Sequence, residues 1–300
     1  MKKRFDVVGM GISALDYVGT VRRFPAEDTK NRLIQMTVQG GGNIGNTLSA
    51  LSRLGLRTSY IGKVGDDAIG RKILSFLKQE GVDVSRVLFE EGAMSPVTFV
   101  LVNARSMKRT VFGYRSLKDI TEGELSIDRI LSARFLLVDE RFPSGSRVAA
   151  EIAIRNQIPV ALNVERPSNR TRDLVEKADY VICNESFLQG YFGGIRPSGV
   201  FQRHKIKNTW AVTRGGRGCY CWDGGRFIRR KAFRVRGVDT TGAGDAFSGG
   251  FIYGLLQGWP MGKILDFAQA TAALNCMKLG ARAALPRREE VEAFLASVPR

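Results

Sequence analysis

The chain has 300 residues, 44% of them hydrophobic, and carries 46 Lys plus Arg against 29 Asp plus Glu, a formal charge of +17. That hydrophobic share excludes a disordered chain, and the length fits one large α/β domain or two smaller ones. No uncharged apolar stretch approaches the roughly 18 residues of a membrane helix, and 4 Cys are too few for a disulfide framework, so a reducing cytoplasm is the expected setting.

Lys2, Lys3 and Arg4 imitate the start of a signal peptide, but Asp6, Gly9 and Gly11 interrupt the apolar run that would have to follow. Residues 5–9 therefore read as a first strand. Ile44, Leu48, Leu51 and Leu54 recur at helical spacing and stop at Gly55; residues 58–64 read as the next strand. Ile69, Ile73, Phe76 and Leu77 mark a second amphipathic helix closed by Gly81. Further strands are predicted at 135–138, 160–162, 180–183 and 210–213, with helical patterns between them. This alternation predicts an α/β fold with a mostly parallel sheet covered by helices on both faces.

Residues 12–42 and 94–116 break the rhythm. They lack helical periodicity, and residues 97–102 and 110–114 suit a hairpin around 103–108. The two segments are expected to pair into a small accessory sheet within a single domain spanning 1–300.

Several motifs compete for the chemistry. Gly9, Gly11 and Ala14 match the dinucleotide-binding G-x-G-x-x-A, with Asp28 near the place of a ribose-binding acid, but no sustained helical stripe follows. A P-loop is excluded, because residues 258–263 are one residue short of its spacing and Ile264 stands where Ser or Thr is required. The stronger candidate is Asp239-Thr240-Thr241-Gly242-Ala243-Gly244-Asp245-Ala246-Phe247. Its small residues permit a tight turn of exposed amides before a helix with Phe247, Phe251 and Leu255, which makes an anion site. Asp245 there reads either as a first-turn helix acid or as a general base beside bound phosphate. Gly40-Gly41-Gly42-Asn43-Ile44-Gly45-Asn46 forms a second cluster, whose glycines admit a ligand and whose Asn43 and Asn46 offer neutral donors and acceptors suited to sugar hydroxyls. A glycine turn with an Asn cap explains the same residues.

Taken together, the two clusters resemble the signatures of the ribokinase-like (PfkB) family of carbohydrate and nucleoside kinases, at residues 40–55 and 239–250; Val212-Thr213-Arg214-Gly215-Gly216-Arg217-Gly218 is similar to the family's nucleotide-binding loop. The resemblance implies a three-layer α/β/α core with a β-sheet lid formed by 12–42 and 94–116. It implies Asp245 as catalytic base and the amides of Gly242, Ala243 and Gly244 as an anion hole. Asn184, Thr213, Gly215, Gly218 and Asn275 would border ATP, which brings Mg²⁺, and a monovalent cation such as K⁺ would sit near Asp239. The N-terminal third looks most like ketohexokinase and fructokinase-type members, on Leu15-Asp16, Phe24-Pro25-Ala26-Glu27-Asp28 and Gly41-Gly42-Asn43-Ile44-Gly45-Asn46, with residues 109–117 similar too. By that likeness Asp16, Asp28, Gly41, Gly42, Asn43 and Asn46 would hold a sugar. One departure stands out: the family's Asn-x-x-Glu is here Asn184-Glu185-Ser186-Phe187, so Mg²⁺ would rely on water or on another acid such as Glu165.

The expected activity is ATP-dependent phosphorylation of a hydroxymethyl group on a small sugar, with a ketohexose such as fructose as the leading substrate. A nucleoside is the nearest alternative, with Phe112 or Tyr114 as base platform, and Arg105, Lys108, Arg109 and Arg115 would suit an anionic sugar. The basic residues 226–236, with Phe227 and Phe233 interleaved, raise a nucleic-acid-binding alternative, but read better as a solvated hairpin. His204 reads as a surface residue beside Arg203 and Lys205, and Cys219 and Cys221 as packing rather than metal ligands. Lid edges could pair across a homodimer; no membrane partner is expected.

Overall fold

The computed structural model describes residues 3–298 except 195–198, 202, 203 and 205; Arg203 and Lys205, the expected neighbours of His204, lie outside the described residues. In chain order the elements are β1 (Phe5–Met10), β2 (Ala14–Val21), β3 (Gln35–Gly41), α1 (Asn43–Arg53), β4 (Thr58–Ile61), β5 (Lys63–Gly65), α2 (Ala68–Gln79), β6 (Leu88–Glu90), β7 (Val97–Asn103) and β8 (Arg109–Tyr114). They continue with α3 (Ile127–Leu131), β9 (Ala133–Asp139), α4 (Pro143–Arg155), β10 (Val160–Val164), α5 (Asn169–Lys177), β11 (Tyr180–Asn184) and α6 (Glu185–Tyr191). The remainder is β12 (Thr209–Thr213), β13 (Cys219–Asp223), β14 (Arg226–Arg230), α7 (Ala243–Leu256), α8 (Met261–Asn275) and α9 (Arg288–Ser297).

Eight strands form the main sheet in the order β14-β13-β12-β11-β10-β9-β1-β4. From β4 to β12 all neighbours are parallel, and β13 and β14 add an antiparallel edge. Strand residues alternate between two cores. Val8, Leu136, Leu162 and Val181 pack on one face, and Val7, Leu137, Ala161 and Ile182 on the other. Helices α1, α2, α7 and α8 cover the second face, so the fold is the expected α/β/α sandwich. Burial on both faces is why these strands read as continuous apolar runs.

A separate four-stranded sheet has the order β3-β2-β7-β8, drawn from the two segments that lack helical periodicity. It is mixed, since β2 and β7 run parallel while β3 and β8 pair antiparallel. Its inner face carries Val18, Val100 and Val102, which pack on Leu279 of the core domain. The strand expected at 58–64 is instead two. Gly62 lies between β4 and β5, where a side chain would meet the Tyr60 hydroxyl at 2.1 Å, and β5 leaves the main sheet to pair with β6.

Gly9, Gly11 and Ala14 lead into β2 rather than a helix, which removes the dinucleotide reading. A Cβ on Gly9 would meet Ile44 and Leu48 at 2.8 Å, and one on Gly11 would meet the Asp139 carboxylate at 2.4 Å, so these glycines serve packing. The basic hairpin β13–β14 turns through Gly224 and Gly225, both at positive φ. Its aromatic residues face inward: Phe227 packs on Tyr220, and Phe233 on Phe294. His204 is exposed beside Phe192. Cys219 and Cys221 are buried free thiols, and no group of acids, His and Cys fit to hold a metal occurs among the described residues.

Candidate active site

The carboxyl ends of the parallel strands, the end of β3 and the start of α7 converge on one cleft. Its floor is the turn before α7. Gly242 takes φ 73°, a left-handed conformation that favours glycine, and a Cβ there would strike Ala281 at 2.7 Å. Asp239 organises this turn. It is fully buried; one carboxylate oxygen accepts from the Thr241 N–H (2.9 Å) and hydroxyl (2.8 Å), the other from Gly280 N–H (2.9 Å). Asn275 donates to the Thr241 carbonyl at 3.1 Å and leaves its buried Oδ1 unpartnered. Ala243 N–H is used by the Thr240 carbonyl at 3.2 Å, which leaves the Gly244 and Asp245 amides as the first-turn donors that α7 itself cannot satisfy.

Asp245 sits in that first turn. Asn46, from the opposing helix α1, donates Nδ2–H to Asp245 Oδ2 at 2.8 Å. Burial pushes the Asp245 carboxyl up to about 7; the Asn46 hydrogen bond opposes this, and the charge of nearby Glu165 adds to it. An acid that loses its proton near neutrality can accept one from a hydroxyl there.

The glycine cluster ends β3 and opens α1. Asp16 on β2 faces it, and burial pushes its carboxyl up to about 6 against the charge of Arg282 and a hydrogen bond from Thr98. Asp16 Oδ1 is buried without a partner, as is Asn43 Nδ2. Gly41 is required by this approach, since a Cβ would lie 2.1 Å from the Asp16 carboxyl. Gly42, at φ 81°, starts α1. The structure thus brings Asp16, Gly41, Gly42, Asn43, Asn46 and Asp245 together. Asp28 stands apart, exposed in the β2–β3 connection at φ 55°.

Asn184 and Thr213 are paired neighbours at the ends of β11 and β12. Asn184 Oδ1 accepts from Phe187 N–H at 2.7 Å, capping α6, and the Thr213 hydroxyl donates to the Cys183 carbonyl at 3.3 Å. Gly215 and Gly218 lie in the following loop at φ 56° and 92°; a Cβ on Gly218 would collide with the Arg230 carbonyl at 2.0 Å, whereas Gly215 faces open space. Glu185 is held by Arg214 at 3.0 Å and by Arg217. Glu165, by contrast, is exposed near Asp245 and accepts from Arg141 at 3.3 Å.

Two more residues belong here, Arg109 from the segment 109–117 and Arg282, which lies outside every sequence motif. Arg109 on the inner face of β8 reaches over to donate to the Thr240 hydroxyl at 2.8 Å, spanning from the small sheet to the anion turn. Arg282, in the loop after α8, is buried beneath the cleft and donates to the Asn46 side chain at 2.8 Å and to the Gly41 carbonyl at 3.0 Å. Arg282 has no contiguous motif to announce it, and the expectation for Arg109 is contact with an anionic sugar rather than with Thr240.

A carboxylate poised near neutrality, facing a glycine turn of free amides and a pocket of sugar-matching polar groups, is the arrangement of a phosphotransferase with a hydroxyl acceptor. Comparison with known proteins agrees. Residues 4–288 match the profile of the pfkB family carbohydrate kinases, and the chain belongs to that family. It is 30% identical to a ribokinase of Haemophilus influenzae, across 98% of this chain and 99% of that one, and 25% identical to ketohexokinase of Mus musculus, across 90% and 96%. Among solved structures, ribokinase of Arabidopsis thaliana complexed with ribose and ATP superposes with a TM-score of 0.83 at 22% identity, covering 99% and 100% of the two chains. The protein is a sugar kinase.

Proposed function

We propose that this sugar kinase transfers the terminal phosphoryl group of ATP to a hydroxymethyl group of a ketohexose such as fructose, with Asp245 as general base. The observation that carries the reading is the Asn46–Asp245 hydrogen bond, which joins the polyol-matching turn to the proton acceptor across the cleft. Asp16 and Asn43 keep unpartnered buried atoms on the same turn, as a site built to bond hydroxyls does before its ligand arrives.

ATP fits the first-turn amides of α7, with Thr213, Gly215 and the unpartnered Asn275 Oδ1 along its path. Mg²⁺ would come with the nucleotide and offset phosphate charge, and Glu165, exposed and held by the single Arg141 contact, is better placed to face it through water than Glu185, which is held by two arginines. A monovalent cation near Asp239 would depend on carbonyl oxygens, since both carboxylate oxygens are already used. In the reaction itself, Asp245 takes the hydroxyl proton as the acceptor oxygen attacks. The α7 amides and Arg109 meet the developing negative charge. The small sheet acts as a lid that excludes water, and its closure would carry Asp28 toward the sugar.

The nucleoside alternative is less favoured, because Phe112 and Tyr114 stand opposite Phe99 and Val97, on the face of the small sheet away from Asp16 and Thr98. That outer face carries Val38, Tyr17, Phe99 and Phe112 in one row across all four strands, with Phe99 54% and Phe112 53% exposed. We assign it to a second copy of this chain, in a homodimer through the lid.

The experiment is a panel of ketohexoses, aldoses, sugar acids and nucleosides assayed with ATP and Mg²⁺. A ketohexose with the highest kcat/KM supports the reading; a nucleoside or a sugar acid ahead of every ketohexose contradicts it.

A further inference from the structure

Arg282 is a cation buried under the cleft with only 4% of its surface exposed, and it draws together three separate segments. Its Nε–H donates to Asn46 Oδ1 at 2.8 Å on α1, and one terminal nitrogen donates to the Gly41 carbonyl at 3.0 Å and the Ser13 hydroxyl at 3.5 Å. Its backbone N–H donates to Gln39 Oε1 at 3.1 Å. All these acceptors are neutral, and the other terminal nitrogen has no partner. The chain makes room for the guanidinium with glycine: a Cβ on Gly40 would lie 2.2 Å from it, and one on Gly45 would lie 2.5 Å away. Two members of the glycine cluster, Gly40 and Gly45, therefore make room for Arg282 rather than for a ligand.

Burying a guanidinium costs several kcal/mol even after relaxation, and neutral acceptors offset only part of that. Burial holds the Arg282 guanidinium down to about 10, opposed by the charges of Asp16, Glu80 and Asp245. The cation thus stands within the field of both site carboxylates without bonding to either. An amide has a donor end and an acceptor end, and arginine can only donate. Arg282 therefore fixes Oδ1 of Asn46 toward itself and turns Nδ2 toward Asp245.

We propose that Arg282 is a positioning residue for phosphoryl transfer: it locks the Asn46 amide against Asp245 while fastening the Gly41 carbonyl of the sugar turn, so that base and acceptor site are held as one unit. The inference rests on the kinase reading above. Its physical core, the Arg282–Asn46–Asp245 relay, can be read without turnover.

The test uses Arg282→Lys, which keeps the charge but loses the fork, and Arg282→Gln, which loses the charge. Each is measured for kcat, both KM values, Tm and the ¹³C titration of the Asp245 carboxyl, assigned with Asp245→Asn. The groups facing Asp245 are Asn46, Glu165, Arg109, Asp16 and Arg282. Both variants are expected to lose about 10-fold or more in kcat, with KM for ATP within about 2-fold of wild type. Losing a nearby cation raises a carboxyl's pKa, so Arg282→Gln moves the Asp245 titration and the acid limb of kcat to higher pH, and Arg282→Lys moves them less. Combined with Asn46→Ala, either variant should cost little more than Asn46→Ala alone, as members of one relay do. A folded variant with unchanged kcat and Asp245 titration overturns the proposal; so does a loss that multiplies with Asn46→Ala. A purely structural Arg282 would lower Tm and leave the titration in place. If wild type phosphorylates no acceptor, the kinase reading fails, and the titration still decides the relay.

Discussion

As the proposed base, Asp245 would set the pH behaviour of the site. With its carboxyl raised to about 7, the base form disappears as the pH falls through that value. The acid limb of kcat/KM for the acceptor is therefore expected near pH 7, and a flat profile down to pH 5 would contradict it. The same shift has a consequence for stability. A carboxyl raised on folding contributes most below its unfolded value and loses that contribution as the pH rises through the folded one. Asp245→Asn, which stays neutral, should gain more in Tm over wild type at pH 8 than at pH 5. Gly41→Ala forces a methyl into the Asp16 carboxyl, a strain of about 1–3 kcal/mol, or roughly 5–150-fold in KM for the sugar. KM for ATP should stay put, and an unchanged sugar KM would remove Asp16 from the acceptor site. At this scale the contiguous motifs were readable, and the residues added by folding were not. Asp239, Gly242 and Asp245 sit within one nine-residue run, so the run marks the place, while the role of Asp245 stays open between helix acid and base until the resemblance is weighed. Arg282 and Asn46 are 236 positions apart, and only tertiary structure makes them partners.

Helices and strands were legible where a single face is buried. The periodicity of Ile44, Leu48 and Leu51 follows from α1 packing on β1 and α7. Legibility failed at Gly62, where the chain leaves one sheet for another although propensity alone would continue the run. Asn184 also changed meaning: placed three residues before Phe187, it caps α6, a role its sequence position permits as readily as a ligand contact. The small sheet makes its own prediction. Tyr17 and Phe99 stack at 5.3 Å on its exposed face. If the proposed homodimer forms through this face, Phe99→Glu should shift sedimentation from dimer to monomer, since a charge buried at such an interface costs several kcal/mol. Unchanged sedimentation would remove that face from the interface.

For the whole molecule, the charge of +17 remains the feature least tied to any element. Arg109, Arg282 and Arg141 lie at the cleft, and others form surface pairs such as Arg147–Glu151 and Arg288–Glu292. Such a field attracts anionic ATP, so KM for ATP should rise with ionic strength while KM for a neutral sugar does not. Equal salt dependence of the two would separate the charge from catalysis. The layered fold was legible because βα alternation and right-handed crossovers leave few topologies open; the acceptor was not, because it is chosen by side chains that three distant segments bring together.

The central claim is that Asp245 is the base of a phosphoryl transfer to a sugar hydroxyl. Its most direct test is the turnover of Asp245→Asn with ATP and the preferred ketohexose, beside a circular-dichroism check that the fold persists. A folded variant with at least ~100-fold lower kcat is the predicted result; a folded variant with near-normal turnover would contradict the account.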